Sequence, residues 1–156
     1  MNRTISEARP AEGGIPFREK SAWVALAAMA VAYSAYFIAM ALAQRNGEEN
    51  TLLFLGYFAI ASGVRLLILF IGTVAIAARS SGEARAPADE RDRAIAQRSA
   101  TKAYYVLMAG MILVGIVMPF SYRGWSITNA ALLALVIADM VRYGAVIVDY
   151  RRGWHG

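Results

Sequence analysis

Four long apolar blocks, Ala22–Ala43, Thr51–Ala78, Tyr104–Phe120 and Ile127–Val148, fill most of the chain and decide what it can become. A helix rising 1.5 Å per residue needs about 20 residues to cross a hydrocarbon core about 30 Å thick, and each block is near that length. The apolar residues occupy every face instead of alternate positions, which disfavours the strands of a membrane barrel. With 58% apolar and only 17% charged residues, the 156-residue chain has too little polar surface for an ordinary soluble domain. The expected fold is all-α: a polytopic membrane protein whose four transmembrane helices, near residues 22–43, 51–78, 88–120 and 126–150, form two antiparallel hairpins.

Lysine and arginine set the expected orientation. The leader before the first block carries Arg3, Arg9, Arg18 and Lys20. The link between blocks two and three has Arg79, Arg85, Arg91, Arg93, Arg98 and Lys102, and the C-terminus has Arg151 and Arg152. The two other links hold only Arg45 and Arg123. By the positive-inside rule both termini and the long link are cytoplasmic, and "QRNGEEN" and "SYRGW" face outward. The net charge of +5 is explained by this flanking pattern and by contact with anionic lipid, so no nucleic-acid role is expected. Small residues at Ala41–Ala43 have the form of a signal-peptidase site. The apolar run before them is longer than a signal-peptide core, however, and cleavage is not expected.

Residues 1–20, with two prolines, a Gly-Gly pair and scattered charges, suit a flexible cytoplasmic tail, and residues 21–156 a single transmembrane domain. In the first block Ala28 and Ala32 form one small-residue stripe, and Ala35, Ala39 and Ala43 another. Either would let a neighbouring backbone approach closely.

The stretch "APADERDRAIAQRSATKAYY", Ala86–Tyr105, reads as a helix start. Pro87 is tolerated just ahead of a helix, and Asp89, Glu90 and Asp92 offer a cap and negative charge at the positive end of the macrodipole. The helix should begin at Ala88 or Asp89, with Arg93 able to pair with Asp89 or Glu90. Arg91, Arg98 and Lys102 gather on one side near lipid headgroups, and Tyr104 and Tyr105 mark the interface. The charged and apolar parts thus form one helix that projects about four turns below the membrane before crossing it. A cap plus interface anchor accounts for most of this pattern. The functional alternative makes Asp89, Glu90, Arg91 and Arg93 a docking surface for a cytoplasmic partner.

The halves also echo each other: "AYSAYFIAMA" resembles "AYYVLMAGMI", and "VRLLILFIG" resembles "VRYGAVIVD". This would make the two hairpins parallel repeats. The "DER" at Asp89–Arg91, the aromatic entry of the helix into the bilayer and the closing "YRRG" at Tyr150–Gly153 resemble an uncharacterised prokaryotic family of small four-helix membrane proteins with a cytoplasmic DER motif. The resemblance covers roughly residues 88–153. It implies a multi-pass protein of the inner (plasma) membrane, with Asp89, Glu90 and Arg91 as the recognisable signature. Some members are encoded near small helix-turn-helix regulators, which implies a signalling or regulatory setting.

Three ionisable residues interrupt the apolar blocks: Arg65, Asp139 and Arg142. Each costs about 2.5–3.5 kcal/mol at the bilayer centre on insertion scales, so each should face the bundle, a partner or water. Counted from Arg79 and Arg151 at 1.5 Å per residue, Arg65 stands ~21 Å up, Asp139 ~18 Å and Arg142 ~13.5 Å. Asp139 could therefore sit between both guanidinium groups, as a lock on helix pairing or as an anion, proton or lipid-headgroup site.

Enzymatic chemistry finds little to work with. The chain has no cysteine, its one histidine is His155, one residue from the C-terminus, and no serine inside the apolar blocks is placed beside a base. General acid–base, nucleophilic and metal mechanisms all lack a second player. Met108, Met111 and Met118 suit packing or lipid contact better than a soft-metal path. No catalytic residue, metal or cofactor is expected. A small oligomeric permease using Arg65, Asp139 and Arg142 is the rival reading. The helices lack the interrupted middles of substrate-binding transporter helices, with Pro119 only at the outer end of its block. The expected function is that of a non-enzymatic membrane bundle that self-associates as a homo-oligomer or holds a membrane or cytoplasmic protein partner, with membrane lipid around it.

Overall fold

A computed structural model of the chain describes residues 15–47, 50–79, 89–122 and 124–152. Residues 1–14 of the expected tail, Pro87, Ala88, Arg123 and His155 lie outside the described residues. The fold is all-α. Its four long helices are α1 (Phe17–Arg45), α2 (Thr51–Arg79), α3 (Glu90–Ile112) and α4 (Trp125–Arg151). α3 runs on through a π-helical turn, Leu113–Val117, and a 3-10 turn, Met118–Phe120. Each of the four is long and apolar enough to cross a membrane, and with its extension the third spans Glu90–Phe120.

Local chemistry sets the ends. α1 begins at Phe17, directly after Pro16, whose φ of −56° and ψ of 145° cannot continue a helix backwards. Residues 17–20, expected in the tail, are therefore helical. The charges of Arg18 and Glu19 are held by tertiary partners that the sequence order does not reveal. α2 is started by Asn50, whose Oδ1 accepts from the backbone N–H of Leu52 at 3.0 Å and Leu53 at 3.3 Å. α3 starts with a capping box. Asp89 Oδ1 accepts from Asp92 N–H at 2.6 Å, and Asp92 Oδ2 from Asp89 N–H at 3.4 Å. The helix proper begins at Glu90, and Asp89, one of the two expected starts, is its cap. Pro119 has no N–H and crowds the carbonyl of the preceding turn, which accounts for the loss of α-helical geometry just before it. Gly124, at φ +61°, makes the reversal into α4 in a region that side chains disfavour.

The packing follows a simple order. α1 and α2 pair, α3 and α4 pair, and α1 packs against α4 to join the two hairpins. α2 and α3 share no comparable seam, so the parallel repeat suggested by the sequence echo lacks the α2–α3 counterpart of the α1–α4 contact. The core is where α1, α2 and α4 meet: Met29, Tyr33, Tyr36, Ala61 and Val136 are buried together. Within it Tyr36 donates to Asn129 Oδ1 at 3.2 Å, a polar tie between α1 and α4. Farther along, Met40, Ala43 and Phe54 are buried beside Trp125, whose Nε1 donates to Met40 Sδ at 3.3 Å.

Small residues act as expected on one α1 stripe and differently on the other. Ala28 and Ala32 are buried, and so is Ala43 at the end of the second stripe, whereas Ala35 and Ala39 are exposed and line an apolar groove with Tyr57, Ile60 and Val64 of α2. α3 and α4 approach closely at Gly110, where an added Cβ would stand 2.8 Å from Ala134 Cβ. α2 and α3 leave broad apolar faces exposed.

Candidate functional site

The ion pairs among the described residues fall in two places. One is midway along the bundle, the other at the pole where α1 and α3 begin and α4 ends.

Midway, Arg65 Nη2 lies 3.3 Å from Asp139 Oδ2 and donates to it, joining α2 to α4 across the first helix. The guanidinium carbon also stands 5.8 Å from the ring centroid of Tyr33 on α1, and Tyr33 Oη shares a 3.5 Å contact with Ser62 Oγ. Arg65 Nε is buried without a hydrogen-bond partner. The pair is only partly enclosed, with side chains 18% and 34% exposed, so neither charge is fully desolvated.

Arg142 departs from the expectation. Asp139 is not held between two arginines: only Arg65 forms an ion pair with it among the described residues. Arg142 is exposed, and its guanidinium lies over the ring of its neighbour Tyr143, 5.9 Å from the centroid. Three residues of separation put the two side chains on one flank, yet the carboxylate turns toward α2 and the guanidinium outward. Both line an open groove of about 310 Å³ between α3 and α4, walled by Ala100, Ala103, Tyr104 and Leu107.

At the charged pole a network joins three helices. Arg18 Nε lies 2.8 Å from Asp92 Oδ2, and Tyr150 Oη donates to Asp92 Oδ1. One carboxylate thus serves the α3 cap, the first turn of α1 and the last turn of α4. Beside it, Arg151 Nε donates to Glu19 Oε1 at 3.1 Å while its guanidinium rests over Trp23, 5.2 Å from the ring centroid. Glu19 is buried, so this arginine is what makes its charge tolerable. On another flank Lys102 Nζ reaches both oxygens of Asp149 at 3.1 Å.

The expected docking residues sit on the outside of this network. Asp89, Glu90, Arg91 and Arg93 are all exposed, and of the four Asp89 alone is engaged, in the cap. The anticipated pairing of Arg93 with Asp89 or Glu90 does not form. The acid that finds a cation is Asp92, one position past the DER signature. Asp92, Arg18, Glu19, Tyr150 and Arg151 were not legible as one site, because their contacts depend on which helix ends share a pole. The one available hint was the pairing of a basic helix end, "YRR", with acidic starts at Glu19 and Asp92.

Among the described residues no group of histidine, cysteine, aspartate or glutamate side chains converges as a metal site. No family model matches the chain, and comparison with curated proteins and with solved structures gives no match.

Proposed function

We propose that the chain is a non-enzymatic integral membrane protein of a prokaryotic inner membrane. Its bundle presents the projecting first turns of α3 to a partner on the cytoplasmic side. The observation that carries the reading is the fixing of this segment. Asp92 ties it to Arg18 and Tyr150, while Glu90, Arg91 and Arg93 remain exposed on the same turn. A solvated helix end needs its cap, but it does not need anchoring to two other helices. Such anchoring preorganises an exposed charged surface, which lowers the entropic cost of binding. Resemblance to the DER-motif family supports the same segment as the functional one and favours a regulatory or accessory role.

Photo-crosslinking in native membranes tests this. A crosslinker at Arg91 or Arg93 should give one discrete product, and Glu90→Ala with the other basic residue reversed should abolish it without altering melting. Products no different from those of a crosslinker at Arg152, an exposed residue beyond the network, would refute the docking role.

A further inference from the structure

The open groove between α3 and α4 holds a charge that the chain itself leaves uncompensated. Arg65, Asp139 and Arg142 sum to one positive charge, and Arg65 has already taken the carboxylate. Arg142, exposed on the groove wall, has no ion-pair partner among the described residues. A guanidinium facing hydrocarbon without an anion is costly, so this flank calls for one. Its position indicates where the anion comes from. Tyr104, an aromatic at the expected membrane interface, lines the same groove as Arg142. Arg142 therefore stands within reach of the headgroup layer on this flank, despite the ~13.5 Å that separates it along the helix from Arg151.

We propose that this groove is the seat of an anionic phospholipid. Its phosphate lies on Arg142 beside Tyr104, and an acyl chain follows the apolar wall of Leu107, Leu135 and Ala138. The groove is open along its length and floored by alanines, Ala100 and Ala103 on the headgroup side of Tyr104 and Ala138 on the membrane side, which leave room for a lipid. A second copy of the protein is a poorer occupant. Around a two-fold axis the same surplus positive charge would face itself, and the single carboxylate that could relieve it is engaged by Arg65. The inference concerns a lipid site and stands apart from the docking role of the Glu90–Arg93 turn.

Native mass spectrometry of the purified full chain, with phosphatidylglycerol or phosphatidylcholine added, tests it. Phosphatidylglycerol should be retained in preference to phosphatidylcholine, and Arg142→Gln should weaken that preference about fivefold, as expected for one basic residue at a lipid surface. Arg152→Gln, outside the groove, should leave it unchanged. Ala100→Trp, which fills the groove and keeps every charge, should also reduce retention. If inorganic phosphate competes fully, the site recognises a free anion and not a lipid. Equal retention of the two lipids, no effect of Arg142→Gln, or a dimer that Ala100→Trp dissociates would overturn the proposal.

Discussion

Arg18 Nε stands 2.8 Å from Asp92 Oδ2, and this contact fastens the first turn of α1 to the first turn of α3. Asp92 is also the acceptor for Tyr150 and one half of the α3 capping box. Its three duties make it the most consequential carboxylate at this pole.

Asp92→Ala is therefore expected to destabilise the bundle more than Asp89→Ala. Loss of a cap side chain costs about 0.5–2 kcal/mol. Removing Asp92 adds the loss of a partner for Arg18 and for Tyr150, about 1–3 kcal/mol in total for a network that is partly exposed. Glu90→Ala should change stability little, since Glu90 is exposed and outside the network. Reversible unfolding in mild detergent measures all three. Equal losses for Asp92→Ala and Asp89→Ala would mean that only the cap matters.

Arg65 and Asp139 should behave as a coupled pair. Asp139→Asn leaves the Arg65 guanidinium, whose Nε already lacks a partner, without its counter-charge inside the bundle. Adding Arg65→Met removes the stranded charge, and removing both members is milder than removing one. The partial exposure of the pair limits the expected coupling to about 1–2 kcal/mol. Arg142→Gln should show no such coupling with Asp139→Asn, because Arg142 contacts Tyr143 instead. Strictly additive losses for the first pair would show that the 3.3 Å contact is not energetically coupled.

The same residues show why sequence alone reached only part of the site. Arg65 and Asp139 were legible because a charge in an apolar block must find a partner, and equal depth leaves few choices. Arg142 was misplaced because sharing a helix face with Asp139 says nothing about which way either side chain turns. The contact of Glu19 with Arg151 was out of reach for a different reason. It joins residues 132 positions apart and needs the antiparallel register of α1 and α4, which is set by packing around Met29, Tyr36 and Val136. Helix ends, by contrast, are local: Asp89 and Asn50 announce theirs through side chains that can cap.

Close approach of α3 and α4 at Gly110 predicts a specific pair of variants. Gly110→Ala puts a methyl group 2.8 Å from Ala134 Cβ, which is fixed to its own backbone and cannot swing away. A cost of about 1–3 kcal/mol is expected from this overpacking. Ala134→Gly in the same chain should recover part of it. Gly56→Ala, where nothing lies within 4 Å, should be neutral or mildly stabilising. If Gly110→Ala is as benign as Gly56→Ala, the seam is looser than described.

The orientation of the bundle can be read with single cysteines, since the chain contains none of its own. Asn46 and Tyr122 are exposed at one pole, Arg91 and Arg152 at the other. The pole with Arg91 also carries Arg18, Arg93 and Arg151, the excess of basic residues that the positive-inside rule assigns to the cytoplasm. Intact cells or right-side-out vesicles should therefore allow a membrane-impermeant maleimide to label Asn46→Cys and Tyr122→Cys. Arg91→Cys and Arg152→Cys should react only after permeabilisation. Asn46 and Tyr122 belong to different hairpins, so the experiment also tests whether both hairpins insert in the same sense. Labelling of Arg91→Cys from outside would invert the orientation and place the proposed docking turn away from any cytoplasmic partner. Labelling of Tyr122→Cys but not Asn46→Cys would leave the second hairpin as described and show that the first is inserted differently.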